Sequence, residues 1–240
     1  MDIQSKITSL AGMGATWIMW VLVGLSVGGL AIALERAIYL ALRSDNLRKL
    51  KAEVLALLRK GDATAARERL LKSKAFEAQV VAAGLEDPAD GAAAAEERMD
   101  GAAQLAKLRM EKRLAFLGTL GSNAPFLGLL GTVIGIVRAF HELNGAAGRV
   151  TSGLMSEVGE ALVATAVGIM VALPAIASYN YFQRVIKARI TRADSFGKEV
   201  LALLKSEKLE RSEELDHRLE QLAAKSTSKS GTMLSVRHVA

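Results

Sequence analysis

Three long stretches without a charged side chain dominate this sequence: Trp17 to Leu34, Leu114 to Val137 and Ala161 to Phe182, of 18, 24 and 22 residues. A helix needs about 20 apolar residues, within a range of about 17–25, to cross a bilayer. Each stretch meets that length, so the predicted fold class is all-α, integral membrane, with three transmembrane helices. Hydrophobic residues make up 51% of the chain and charged residues 23%. Both fractions fit one chain only because they are segregated along it. Aromatics are 5% and prolines number three, so the apolar content is mostly Ala, Leu, Val, Ile and Met, a mixture suited to long helices. The first stretch exceeds the roughly 7–15 residues of a signal-peptide core, and no small-residue cleavage pattern follows Glu35 and Arg36. It is read as an uncleaved span.

Basic residues near the ends of the spans set the direction. Only Lys6 precedes the first span, and only Arg149 falls in 141–150. In contrast, Arg43, Arg48, Lys49, Lys51, Arg59 and Lys60 follow the first span, and Arg98, Lys107, Arg109, Lys112 and Arg113 precede the second. Five more lie in 184–204. Positive loops stay inside, so the N-terminus is expected outside and both the 43–113 region and the C-terminal tail inside. The net charge of +6 is therefore assigned to topology and not to nucleic acid. The chain has no cysteine, and His141, His217 and His238 form no pair at helical spacing, which argues against thiolate chemistry and against a metal site. No HExxH, phosphate-loop or nucleophile-elbow motif is present. No enzyme activity and no cofactor are expected.

Between the first two spans, Leu47, Leu50, Val54, Leu57 and Leu58 recur at helical spacing. Gly61 is expected to stop that helix and Asp62 to cap the next. Further amphipathic runs reach about Lys74 and Gly84, and the run from Glu86 to Gly91, with Pro88, is the clearest breaker. Residues 92–113 are expected to continue directly into the second span. The run from Thr151 to Phe182 is longer than a bilayer requires, so helices are expected to project into the cytoplasm.

Polar residues inside spans are costly, which makes them functional candidates. In the second span Gly121, Gly128 and Gly135 recur every seven residues, and Gly131 stands four before Gly135. Small residues let helix backbones approach, and Gly24 and Gly28 carry the same spacing in the first span. Pro125 removes a backbone donor and leaves the Gly121 carbonyl without its helical partner. It serves either a kink or a carbonyl-lined ion path. Glu157 and Glu160 open the third span, with Thr165 on the same broad face. Glu157 is expected to be a solvated first-turn carboxylate near a positive helix end. Glu160, deeper in the span, suits a pore or an interface. Thr132 and Thr165 would be unremarkable if each hydroxyl merely bonded the preceding turn.

The run Gly121-Ser122-Asn123-Ala124-Pro125-Phe126-Leu127-Gly128-Leu129-Leu130-Gly131-Thr132-Val133-Ile134-Gly135-Ile136 resembles the second-span signature of the ExbB/TolQ/MotA family. The run from Glu160 through Thr165 and Gly168 to Pro174, followed by Tyr179 and Asn180, resembles its third-span signature. The resemblance implies a bacterial inner-membrane protein that forms a homo-oligomeric ring, a pentamer, around single-span ExbD/TolR-like partners with a membrane aspartate. A TonB-like protein would be the further client. Thr132 and Thr165 would then be polar pore residues and Glu160 the acidic residue near the pore. Gly121, Pro125, Gly128, Gly131, Gly135 and Pro174 would shape the pore or pack its helices. The chain departs from the pattern at Glu157, where the close family has a small neutral residue.

The implied organisation is a periplasmic N-terminus over 1–16, transmembrane helix 1 over 17–42 and a cytoplasmic helical region over 43–113. Transmembrane helix 2 follows over 114–140, a periplasmic loop over 141–150 and transmembrane helix 3 over 151–183. A cytoplasmic helical tail with a mobile end fills 184–240. The function implied is that of an ion-conducting stator subunit, driven by the proton-motive force and energising envelope transport. The run from Gly121 to Phe126 inclines toward ExbB. TolQ-like envelope maintenance, a gliding motor and a non-conducting membrane scaffold are the alternatives. A secondary transporter would want two related repeats with broken helices, and no internal repeat is present.

Overall fold

A computed structural model describes residues 16–87, 90–145, 150 and 152–235, with side chains to Ser206. The predicted N-terminal segment to residue 15, Pro88 of the breaker, and residues 146–149, 151 and 236–240 lie outside the described residues. Among the described residues seven helices follow one another: α1 (Thr16–Leu42), α2 (Leu47–Leu58), α3 (Ala63–Leu71), α4 (Phe76–Gly84), α5 (Gly91–Glu111), α6 (Leu114–Gly145) and α7 (Ser152–Ser235). No strand occurs among the described residues. The chain divides into two units, one of Met1–Arg43 with Lys107–Ala188, the other of Ser44–Ala106 with Arg189–Ala240.

The first unit holds the apolar parts of α1, α6 and α7, three helices long and apolar enough to cross a membrane. Its exterior is what a bilayer selects. Trp20, Val23, Val27, Leu30 and Leu34 line the outside of α1 at helical spacing, and Phe126, Leu129, Val133 and Phe140 do so on α6. Such continuous apolar surface is a liability in water and a requirement in lipid. Inside, Ile18 and Leu22 of α1 meet Leu120 and Ala124 of α6 and Val171, Ala172 and Ala175 of α7. Of the glycines in α1, Gly29 is the one that packs closely: a Cβ there would stand 2.7 Å from a methyl of Leu120. Gly24 has nothing within 4 Å, and Gly28 only Phe116 at 4.0 Å. The Gly24–Gly28 spacing therefore does not serve packing within this unit.

The expected continuity from 92–113 into the second span fails at two residues. Helix α5 ends at Glu111, α6 begins at Leu114, and Arg113 has φ 67. No glycine or proline marks the break. The left-handed conformation costs an ordinary residue roughly 1–2 kcal/mol, and tertiary contacts hold it. Arg36, only 4% exposed, donates from Nη1 to the Arg109 carbonyl at 3.3 Å, which satisfies an end carbonyl of α5. Glu35 binds Arg36 at 2.5 Å and Arg113 at 3.5 Å. The Arg36 guanidinium also lies over the Tyr39 ring, 4.7 Å from its centre.

The second unit contains α2, α3, α4, most of α5 and the distal part of α7. Leu50, Val54 and Leu58 bury the predicted face of α2, with Leu47 and Leu57 half-buried beside them. Gly61 takes φ 76 after that helix, and the Asp62 carboxylate caps α3 by accepting from the Ala65 N–H at 2.8 Å. Asp62→Ala is expected to cost about 1 kcal/mol. A thermal melt followed by helical signal reads that loss, and an unchanged midpoint would refute the cap. Phe76 is buried under the Arg189 guanidinium, 5.8 Å from the ring centre. Met99 fills the space left by two missing side chains, at Gly84 and at Gly197.

Candidate functional site

Helices α6 and α7 run antiparallel along a seam of small residues. A Cβ on Gly121 would overlap the Ile176 side chain and stand 3.0 Å from its backbone N. On Gly128 it would meet the Ala164 carbonyl at 2.8 Å and Thr165 Cα at 2.9 Å. On Gly131 it would meet the Ala164 methyl at 2.6 Å, and on Gly135 the Ala161 methyl at 2.5 Å. As the α6 number rises, the α7 number falls. From the opposite side, a Cβ on Gly168 would stand 2.7 Å from the Ala124 carbonyl and 3.0 Å from Gly128 Cα. At Gly128 and Gly168 the seam is glycine beside glycine, and what a Cβ would meet there is main chain.

Thr165 sits at that point. Its hydroxyl leaves its own helix and donates to the Gly128 carbonyl of α6 at 3.1 Å. A carbonyl has two lone pairs, so this bond adds to the helical one. Thr132 behaves differently: its hydroxyl donates to the Leu129 carbonyl of its own preceding turn at 2.6 Å. Glu160, half-buried one turn before Ala164, accepts from the Thr16 hydroxyl at 2.5 Å. None of Thr132, Thr165 and Glu160 bonds another. Pro125 lies inside an unbroken α6, and Pro174 inside α7. Pro174 borders a cavity of about 210 Å³ whose wall includes Ser26, Gly29, Leu120 and Ser178.

Glu157 is not the solvated carboxylate expected from its place in the first turn. Its side chain is 16% exposed and its Oε1 pairs with Arg138 Nη2 of α6 at 3.0 Å. Its Oε2 is buried with no hydrogen-bond partner. Arg138 was invisible as a site residue because it merely ends the charge-free stretch of the second span. Thr16 was equally hidden, at the edge of the first. The one available signal was pairwise: a lone cation closing one span and an extra acid opening the next.

Residues 72–195, just over half of the chain, match the family described as the MotA/TolQ/ExbB proton channel family. Among individual proteins, the ExbB-like 2 protein of Helicobacter pylori is 44% identical over 90 residues, 38% of this chain and 60% of that one. The biopolymer transport protein ExbB of Xanthomonas campestris pv. campestris is 36% identical over 92 residues, 38% of this chain and 36% of that protein. The Tol-Pal system protein TolQ of Pseudomonas aeruginosa is 38% identical over 96 residues, 40% of this chain and 42% of that protein. The matched segments thus span between about a third and three fifths of these relatives.

Proposed function

Because this chain belongs to the MotA/TolQ/ExbB proton channel family, we propose that it is a proton-conducting stator subunit of the ExbB kind. It sits in the inner membrane with its N-terminus in the periplasm and its C-terminus in the cytoplasm. A ring of five copies encloses a single-span ExbD/TolR-like partner and energises envelope transport through it and a TonB-like protein. Thr132, Thr165 and Glu160 lie on the ion path.

The observation that carries this reading is the Thr165 hydroxyl. It leaves its own helix for the carbonyl of a side-chain-free residue across the seam, within the segment the family match covers. The three spans hold no ionisable side chain near their middle. A titrating group must therefore come from another polypeptide, and the partner's membrane aspartate supplies it. Hydroxyls that bond the carboxylate change its proton affinity as it approaches and leaves. One elementary charge crossing 100 mV releases about 2.3 kcal/mol, which suits many small steps over one large one.

The test is proton flux in vesicles holding this chain and its partner, with Thr165→Val and Thr132→Val. A hydrogen bond to a charged group is worth about 1.5–3 kcal/mol, so each variant is expected to slow flux about ten- to a hundredfold while the complex still assembles. Parental flux in both would sink the reading. TolQ relatives such as the Pseudomonas protein, 38% identical, favour Tol-Pal work as the second reading. Co-purification separates the two by which single-span partner is retained.

A further inference from the structure

We propose that Arg48, Arg192 and Ser195 form a binding site for a phosphate-bearing anion in the second unit, beside the start of α2. They border an open surface groove of about 520 Å³ whose wall also includes Asp45, Asn46, Lys51 and Phe196. That volume lies in the range of small-ligand sites, about 300–1,000 Å³.

Three cations converge on the groove from two separate elements, α2 and α7. Only one is neutralised from within: Lys51 pairs with Glu199 at 2.5 Å. Arg48 and Arg192 have no ion pair or hydrogen bond among the described residues, and the Ser195 hydroxyl has none either. The one acid on the wall is already engaged. Asp45 accepts from the Ser73 hydroxyl at 2.6 Å and from the Asn46 N–H at 2.7 Å. The Ser73 hydrogen bond, followed by the one from Asn46, holds its carboxyl below the usual carboxylate range, so it stays charged and turned to those donors.

The start of α2 adds donors to the same wall. Asn46 caps the helix through the Lys49 N–H at 3.4 Å, and its carbonyl accepts from Leu50. The N–H groups of Leu47 and Arg48 have no protein partner among the described residues. Free N–H groups and the helix dipole favour an anion there. Guanidinium forks match phosphate oxygens in pairs, and a hydroxyl donates to a third. A carboxylate would use one fork and leave the other cation unmatched. Phosphate chemistry engages both. The wall begins at Asp45, three residues beyond the end of α1 at Leu42, where the chain has just left its first apolar span. Two sources of phosphate reach such a place: the headgroup of an anionic lipid and a soluble phosphate compound.

The experiment uses the full chain, purified in detergent and stripped of lipid. Binding is measured for phosphatidylglycerol in mixed micelles, for phosphatidylcholine in the same micelles, and for inorganic phosphate. Arg48→Gln with Arg192→Gln is compared with Arg59→Gln with Lys60→Gln, which removes the same charge from exposed residues outside the groove. Saturable phosphatidylglycerol binding, weakened at least tenfold in the first variant alone, supports the site with a lipid as its source. Saturable inorganic phosphate binding lost in the first variant, without preference for phosphatidylglycerol, supports it with a soluble source. Equal binding by parent and first variant overturns it, as does equal weakening by both variants. Parental helical signal and melting midpoint show that the first variant is folded. Ion flux is not read, so the outcome stands apart from that of the proton-flux test.

Discussion

Gly128→Leu is expected to pull α6 and α7 apart, and Gly24→Leu to leave the membrane unit intact. The two substitutions are chemically identical and both fall in apolar helix, so intrinsic helix preference cancels between them. Their surroundings differ completely. At Gly128 the first added carbon would stand 2.8 Å from the Ala164 carbonyl oxygen and 2.9 Å from Thr165 Cα. Both are main-chain atoms, which cannot swing aside as a side chain can. At Gly24 nothing lies within 4 Å. Overpacking of a tight interface typically costs about 1–3 kcal/mol and more when backbone must move. Separation also breaks the Thr165 to Gly128 bond, worth about 1 kcal/mol. The sum is about 2–4 kcal/mol before any main-chain movement, a large fraction of a domain's marginal stability. Gly131→Ala belongs between the extremes, since its methyl would crowd a side chain, the Ala164 methyl at 2.6 Å, with Ile18 at an ordinary 3.9 Å. Titration of the purified chain with a denaturing detergent ranks all three. A Gly128→Leu protein as resistant as the Gly24→Leu protein would show that the seam does not hold the helices.

That ranking could not be drawn from the sequence, although the existence of the seam could. Length without charge was enough to find α1, α6 and α7, because a bilayer imposes a fixed thickness and forbids unpaired backbone. The turn at Gly61 and Asp62 was equally legible, since a positive φ and a side-chain cap are local requirements. The glycines at 121, 128, 131 and 135 announced close packing by their spacing alone. Gly24 and Gly28 carried the same spacing and do not pack within the unit, because the α1 face that meets α6 is set by Ile18, Leu22 and Gly29. Periodicity says that a face exists and not which partner it meets.

What stayed hidden is uniformly long-range. The break between α5 and α6 has no glycine, no proline and no cap. It exists because Arg36 reaches an Arg109 carbonyl 73 positions away and Glu35 holds Arg113. The Thr16 to Glu160 bond closes across 144 positions. In the sequence, charged residues at the ends of apolar runs look like boundary marks. In this fold several of them are partners.

Arg138 and Glu157 are the pair for which that distinction has the largest consequence. Arg138→Ala is expected to damage the hairpin more than Glu157→Ala, although each removes the same contact. The Glu157 side chain is 16% exposed and already has one unpartnered oxygen, whereas Arg138 is 31% exposed. Without Arg138, a mostly buried carboxylate is left with neither oxygen paired. Without Glu157, the long arginine side chain can turn its charge toward water or headgroups. Breaking a fully buried pair costs about 3–5 kcal/mol and an exposed one about 0–1. The partial exposure here places Arg138→Ala at about 2–3 kcal/mol and Glu157→Ala at about 1. The apolar replacement of both, Arg138→Met with Glu157→Leu, is expected to recover most of the loss, since it removes desolvated charge together with its partner. The parent, Arg138→Ala, Glu157→Ala and the variant carrying both alanines form a double-mutant cycle read by detergent denaturation, with a coupling of about 1–3 kcal/mol. Strict additivity would mean that the two side chains do not interact in the membrane. Equal damage from both single substitutions would mean that burial does not set the cost. Proton flux in the apolar double variant then asks a separate question. Flux close to parental would leave Glu160 as the acid that matters at this end of the seam, with Glu157 held out of the path by its own counter-ion.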